Sequence, residues 1–235
     1  MRHPTPLPPE RTGVHGGLSY ALFEARCKPQ GGLIIVHGAG SRKESHFDFA
    51  RAAGAAGLAS VVYDQRGHGE SKGPLDDRLA DDVVRMRELL GDGPVALRGS
   101  SMGGYVAIMA ARRVGAAAVV AICPAGAEHL LRGLRSGDWE WHADVAKVEA
   151  FLEAHDLTWE VRALDAPLML LHAEGDERIP VTHSIALHQA GTAPGRRLVV
   201  LPGGHHRSIQ HDAEMQGESL RFIAAAFAAN GAQPG

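Results

Sequence analysis

Cysteine is scarce: Cys27 and Cys123 are the only two in 235 residues. Two cysteines make no disulfide framework, and their spacing matches no zinc motif, so reduced thiols and a cytoplasmic protein are expected. Long hydrophobic runs are missing as well. The longest nearly apolar stretch, Val114 to Ala127, is interrupted by Pro124 and falls short of the ~20 residues that span a bilayer, so no membrane span is expected. The opening MRHPTPLPPERTG holds no apolar run of the kind a signal-peptide core needs and reads as a loose, proline-rich arm. An excess of one charge is also lacking. The formal net charge is -3, and no block of Lys and Arg stands beside aromatics, which argues against a nucleic-acid partner. With 45% hydrophobic and 22% charged residues, the composition is that of a soluble globular domain rather than a disordered chain.

From Leu33 onward, short apolar runs alternate with helix-like segments. LIIVH (Leu33 to His37), LASVVYD (Leu58 to Asp64), PVALRG, AAVVAIC, PLMLLHA and RRLVVL read as buried strands. Between them, SHFDFARAAGAAG is Ala-rich and suits a helix. DDRLADDVVRMRELLG places Leu79, Val83, Met86 and Leu90 at helical spacing, with acids early and Gly91 at its end. AEMQGESLRFIAAAFAAN closes the chain as a helix. Repeated strand, turn and helix predict an α/β fold, a mostly parallel sheet covered on both faces. One segment departs from the rhythm. Between about Pro124 and Ala166 no strong strand occurs, yet Trp139, Trp141 and Trp159 all fall there with Leu130, Leu131, Leu134 and Phe151. An insertion over the carboxyl edge of the sheet accounts for it, its apolar side chains either packing an extra helical layer or facing a substrate.

The stretch LRGSSMGGYVA holds two adjacent serines after a strand and before a helix. A nucleophile on so sharp a turn needs small residues two positions before and after it, so that the backbones can approach. Ser101 is flanked by Gly99 and Gly103, whereas Ser100 has Arg98 and Met102. Ser101 is the candidate. Serine is a weak nucleophile on its own and requires a histidine base, an orienting acid and oxyanion donors.

Four motifs then bear on the rest: HGAG (His37 to Gly40), DQRGHGES (Asp64 to Ser71), GSSMGG (Gly99 to Gly104), and HAEGDERIPV (His172 to Val181) followed by LPGGHH (Leu201 to His206). In this order the chain resembles the serine hydrolases of the α/β-hydrolase fold, within them the lysophospholipase, monoacylglycerol lipase and small carboxylesterase group. The resemblance implies a single domain over residues 1–235 with a short cap at about 124–166. It implies that Ala39 in HGAG gives one oxyanion-hole amide and Met102, after the nucleophile, the second. It places the acid at Asp176, after Gly175 and before the Ile-Pro pair, with Glu174 and Glu177 as competitors. For the base, His205, His206 and His211 are all on offer; members of the family carry a glycine three residues before their histidine, and Gly203 stands three before His206.

DQRGHGES reads as a loop-organising element near the site mouth, with His68 structural. Fourteen histidines invite a metal, but no H-E-x-x-H helix or Cys/His cluster of zinc spacing occurs, so neither metal nor other cofactor is expected. Ser100 stands where many relatives carry histidine, and the short cap argues against a long-chain lipase with a large lid. The expectation is hydrolysis of a small-molecule carboxylic ester with a short to medium acyl chain through an acyl-enzyme. Thioester, amide or carbon–carbon hydrolysis on the same residues, or a non-catalytic receptor, are the rivals. The apolar insertion leans toward an ester with a hydrophobic part.

Overall fold

Six runs pair as consecutive parallel strands in the computed structural model, which describes residues 6–136 and 142–231. They are Gly31–Val36 (β3), Leu58–Tyr63 (β4), Val95–Ser100 (β5), Ala118–Ile122 (β6), Leu168–Ala173 (β7) and Arg197–Leu201 (β8). Ahead of them, Arg11–His15 (β1) and Leu18–Phe23 (β2) form an antiparallel hairpin that joins the sheet beside β4, giving the order β1-β2-β4-β3-β5-β6-β7-β8. The hairpin corrects the reading of a loose arm for Arg11 to Gly13, the end of that stretch; residues 1–5 lie outside the described residues. Gly16 and Gly17 take φ of 58° and 85°, the left-handed pair that a two-residue hairpin turn requires. β1 escapes a sequence reading because it is an edge strand with mostly exposed side chains and no apolar alternation.

Alternation along each inner strand divides the core between two faces. Leu33 and Ile35 of β3 pack with Phe49, Val120, Ile223 and Phe227, beneath the helices Phe47–Ala55 (α1) and Ala213–Gly231 (α8). Ile34 and Val36 turn to the opposite face and pack with Val83, Leu97 and Ile108, under Leu79–Arg87 (α2) and Met102–Ala111 (α3). α3 is buried along its whole length, which its glycines, alanines and apolar side chains permit. The helix read over Asp76 to Gly91 is shorter at both ends, starting after Arg78 and ending at Arg87.

Between β6 and β7 the chain forms Ala127–Ser136 (α4), Val145–Ala154 (α5) and Leu157–Arg162 (α6), with no strand among the described residues. Leu130, Val148, Leu152, Leu157 and Val161 join the same core as α3. Most of the segment's apolar side chains therefore build a layer. Leu131, Leu134 and Phe151 pack against that core, and Trp159 is exposed, while Trp139 and Trp141 lie outside the described residues. Asp144 and Asp156 accept backbone N–H bonds at the starts of α5 and α6, the usual role of an aspartate N-cap. Val181–Ala190 (α7) follows β7. Among the described residues no helix is long and apolar enough to cross a membrane.

One buried cation ties sheet to loop. Arg98 on β5 is 1% exposed, its guanidinium stands 3.7 Å over the Phe49 ring, and Nη2 donates to the Gln210 carbonyl at 3.1 Å. Burial pulls its pKa down to about 9, which leaves it charged at neutral pH. Phe49→Ala removes both the core ring and the face under this cation, and is expected to lower the unfolding free energy by about 3–5 kcal/mol. The measurement is a fall in the urea midpoint at unchanged slope.

Candidate active site

β5 runs directly into α3 through Ser101, and the join is sterically tight. A Cβ on Gly99 would lie 2.0 Å from the Gly103 carbonyl oxygen, and one on Gly103 would lie 2.1 Å from that of Val36. Neither position tolerates a side chain. Ser101 is left at φ 54° and ψ -119°, a conformation that L-residues rarely adopt and that costs on the order of 1–3 kcal/mol. Its backbone is pinned on both sides: the N–H donates to Ile122 O at 2.9 Å, and the carbonyl accepts from Gly104, Tyr105 and Ala125. Ser100 donates to Gln210 Oε1 at 3.3 Å.

The HGAG loop passes against this turn. A Cβ on Gly38 would stand 3.3 Å from that of Ser101. The loop is held from below by the DQRGHGES segment. Gln65 N–H donates to His37 Nε2 at 2.9 Å, Gln65 Nε2 donates to His37 O at 2.6 Å, and Gly40 N–H donates to His68 Nε2 at 3.1 Å. Desolvation lowers the pKa of both rings, that of His37 to about 4, so both are neutral acceptors near pH 7. Asp64 accepts from Lys43 N and Nζ, each at 2.8 Å, and from Glu70 N–H, while Arg66 pairs with Asp82. These contacts give His68, Arg66 and Asp64 structural work under the loop. Ala39 lines the cleft above it, and Met102, the first residue of α3, has an N–H with no acceptor inside its own helix.

After β7, Asp176 turns its carboxylate inward with a fully buried side chain. Oδ1 accepts the N–H groups of Arg178 and Ile179 at 2.8 and 2.9 Å, and Oδ2 stands 2.7 Å from His206 Nδ1. A carboxylate only accepts, so Nδ1 carries the proton and Nε2 is the basic nitrogen of the neutral ring. Burial would raise the Asp176 pKa, but the bonds from His172, His206 and the two amides outweigh it and hold the group well below the ordinary carboxylate range.

Of the three histidines on offer, His206, the one that the glycine at Gly203 selects, is the one that meets Asp176. His205 is exposed with Nδ1 accepting from Arg207 N–H, and His211 pairs with Asp48 at 2.8 Å. Glu174 is exposed, and Glu177 accepts the His206 N–H at 3.0 Å.

His172 went unread in the sequence because it sits inside a strand. Fully buried, its Nε2 donates to Ile179 O at 2.9 Å and lies 3.4 Å from Asp176 Oδ2, while Nδ1 accepts from Ser184 at 2.7 Å. It braces the turn that presents the acid.

Ser101 and His206 line one cleft of about 1320 Å³, together with Ala39, Ala125, Leu130 and Ile179. Two sets of described side chains bring three possible metal-ligand atoms within 4.8 Å of one another. In Cys123, Asp176 and His206 the acid and the imidazole already bond to each other. Glu128, His129 and His183, where α4 meets α7, are the residues whose donor types suit a divalent cation.

The α/β hydrolase fold profile matches residues 32–156, so the chain belongs to that family. The uncharacterized protein YfhR of Escherichia coli O157:H7 is 26% identical over 213 residues, covering 83% of this chain and 70% of YfhR. A crystal structure of a monoacylglycerol lipase from Paleococcus ferrophilus superposes with a TM-score of 0.69 at 20% identity, covering 90% of this chain and 98% of the lipase. Est1E from Butyrivibrio proteoclasticus with ferulic acid bound gives 0.72 at 19% identity, over 95% of this chain and 100% of Est1E. At these identities the structural likeness speaks for the fold.

Two outcomes follow from the geometry. Ser101→Gly relieves the positive φ and is expected to unfold at a higher temperature than Ser101→Ala, by about 1 kcal/mol of stability or more. Because the folded-state pKa of Asp176 is depressed, its contribution is present above the unfolded carboxylate value near 4 and lost as pH falls below it. The stability gap between wild type and Asp176→Asn in urea titrations should therefore close on acidification.

Proposed function

We propose that this protein is a serine hydrolase that cleaves carboxylic esters through an acyl-enzyme. The observation that carries the reading is the placing of Ser101 and His206 on the walls of one cleft, with the His206 ring held by Asp176 at 2.7 Å. The monoacylglycerol lipase named among the structural neighbours agrees with it.

Ser101 Oγ attacks the ester carbonyl carbon while His206 Nε2 takes the hydroxyl proton. The carbonyl oxygen becomes an oxyanion, received by the N–H groups of Ala39 and Met102, which are fixed in place before the reaction and need no reorganisation. When the tetrahedral intermediate collapses, the carbon–oxygen bond to the alcohol breaks and His206 returns the proton to the leaving oxygen. Water then gives its proton to His206 and adds to the acyl carbon. The ester bond to Ser101 breaks, the serine regains a proton, and the acid departs. Asp176 stays ionised and stabilises the imidazolium formed in each half.

The apolar part of the cleft is small: Ala39, Ala125, Leu130 and Ile179. That favours short to medium acyl chains. A cytoplasmic setting accords with free cysteines at both positions.

Ser101→Ala is expected to lower turnover of p-nitrophenyl esters by at least about 10³-fold and to abolish fluorophosphonate labelling. His206→Ala should be comparably inactive and His205→Ala active. Asp176→Asn should lose on the order of 10⁴-fold in kcat, the effect of leaving imidazole in the wrong tautomer. Near wild-type turnover in Ser101→Ala, or a dead His205→Ala beside an active His206→Ala, overturns these roles.

A further inference from the structure

The charge of the cleft does not follow from the charge of the chain. Although the whole protein is acidic by three charges, its described cleft wall carries Arg42, Arg132, Arg178 and Arg207, and no Asp or Glu. Each arginine comes from a different segment. Arg42 follows the HGAG loop, Arg132 lies on α4 one turn after His129, Arg178 follows the acid, and Arg207 follows His206. Four separately placed guanidinium groups thus surround the mouth above Ser101.

All four are exposed at the rim, and three are uncommitted. Arg42, Arg132 and Arg207 make no side-chain hydrogen bond or ion pair with any described residue, while Arg178 Nε stands 3.7 Å from Glu177. The acids beside the cleft keep their charge but point it at other groups: Asp176 at His206 and two amides, Glu177 at the His206 N–H, Asp48 at His211 and Gln216, Glu128 at His129 and His183. Cations lining a concave site focus the field on an anion, and guanidinium forks match the geometry of carboxylate and phosphate oxygens.

We propose that the cleft selects anionic esters, in which a carboxylate or phosphate a few bonds from the scissile carbonyl is held by Arg42, Arg132 and Arg207. The floor of Ala39, Ala125, Leu130 and Ile179 takes the short chain between. This rests on the serine-hydrolase reading and adds an anionic group to the ester with a hydrophobic part toward which the insertion leans; Leu131, Leu134 and Phe151 of that insertion pack against the core.

The test compares the mono-p-nitrophenyl ester of adipic acid with that of 6-methylheptanoic acid, which has the same heavy-atom shape and no charge. The anionic ester is expected to have the higher kcat/KM, by about tenfold, expressed in KM, since several solvated charge pairs each contribute modestly. The preference should collapse between about 0.1 M and 1 M NaCl, as the screening length falls from about 10 Å to about 3 Å. It should fall severalfold in the double variant Arg42→Gln, Arg132→Gln. Equal or better hydrolysis of the neutral ester, or a preference that survives both salt and the double variant, overturns the proposal.

Calorimetric binding of adipate and of n-pentyl phosphate to Ser101→Ala separates this from the catalytic reading. Binding lost in the double variant supports the anion site even if wild type takes no fluorophosphonate, in which case only the hydrolase reading falls. The tighter ligand identifies the group. Absence of binding by both overturns the anion site while leaving labelling of Ser101 to speak for the chemistry.

Discussion

Three backbones meet at a point where no side chain fits. Gly99 at the end of β5, Gly103 in the first turn of α3, and the carbonyl of Val36 at the end of β3 lie so close that a single methyl group at either glycine would fall about 2 Å from a carbonyl oxygen. The rest of the site depends on this contact. It forces the chain to turn within one residue, which puts Ser101 at positive φ, and it brings the loop after β3 against the serine. Such strain persists only where the surroundings over-determine it. Here they do, since Ser101 donates to β6 through its N–H and accepts three backbone N–H groups at its carbonyl.

Histidine serves two opposite purposes around that turn, which explains why so many occur without a metal motif. His37, His46 and His68 are buried, desolvation lowers their pKa, and as neutral rings His37 and His68 accept backbone N–H groups that fix a loop. His206 instead faces a carboxylate, which fixes its tautomer with the proton on Nδ1. The difference lies in the partner: an amide donor requires a lone pair, whereas a carboxylate requires a proton. The loop carrying His206 is fastened in turn by the Arg98 guanidinium at Gln210, a charge buried under the very strand that delivers the serine.

Sequence carried the inner strands and the serine turn because both are imposed by local rules: continuous β-branched runs for strands buried on both faces, and paired glycines for a sharp turn. It did not carry the β1–β2 hairpin. β1, at the edge, buries too little to leave an apolar pattern, and its one local mark, Gly16-Gly17, is a common pair; β2 is buried throughout, but Ser19 and Tyr20 interrupt its apolar run. The choice among adjacent histidines was legible only by analogy, since His205 and His206 differ in burial and direction rather than in chemistry. The cleft lining was the least legible. Apolar residues between β6 and β7 were readable either as an extra helical layer or as a substrate-facing wall; most of the described ones complete the core, and Leu130 is the large apolar side chain among them that lines the cleft.

What replaces that wall follows from how the acids are used. An α/β sheet of this kind needs buried anchors at the carboxyl ends of its strands, and this chain makes many of them from carboxylates: Asp64 against Lys43, Asp82 against Arg66, Asp176 against His206. The first two balance a carboxylate with a cation inside the molecule, while Asp176 is held by hydrogen bonds. The arginines above, on loops and on α4, have long, solvated stems that need no partner to fold, and Arg42, Arg132 and Arg207 stay exposed with no ion pair to a described residue. Net charge therefore misleads about the site, because it counts the acids that the scaffold has sequestered equally with the cations that the cleft displays. The cations line the mouth, and Ser101 lies in the same cleft.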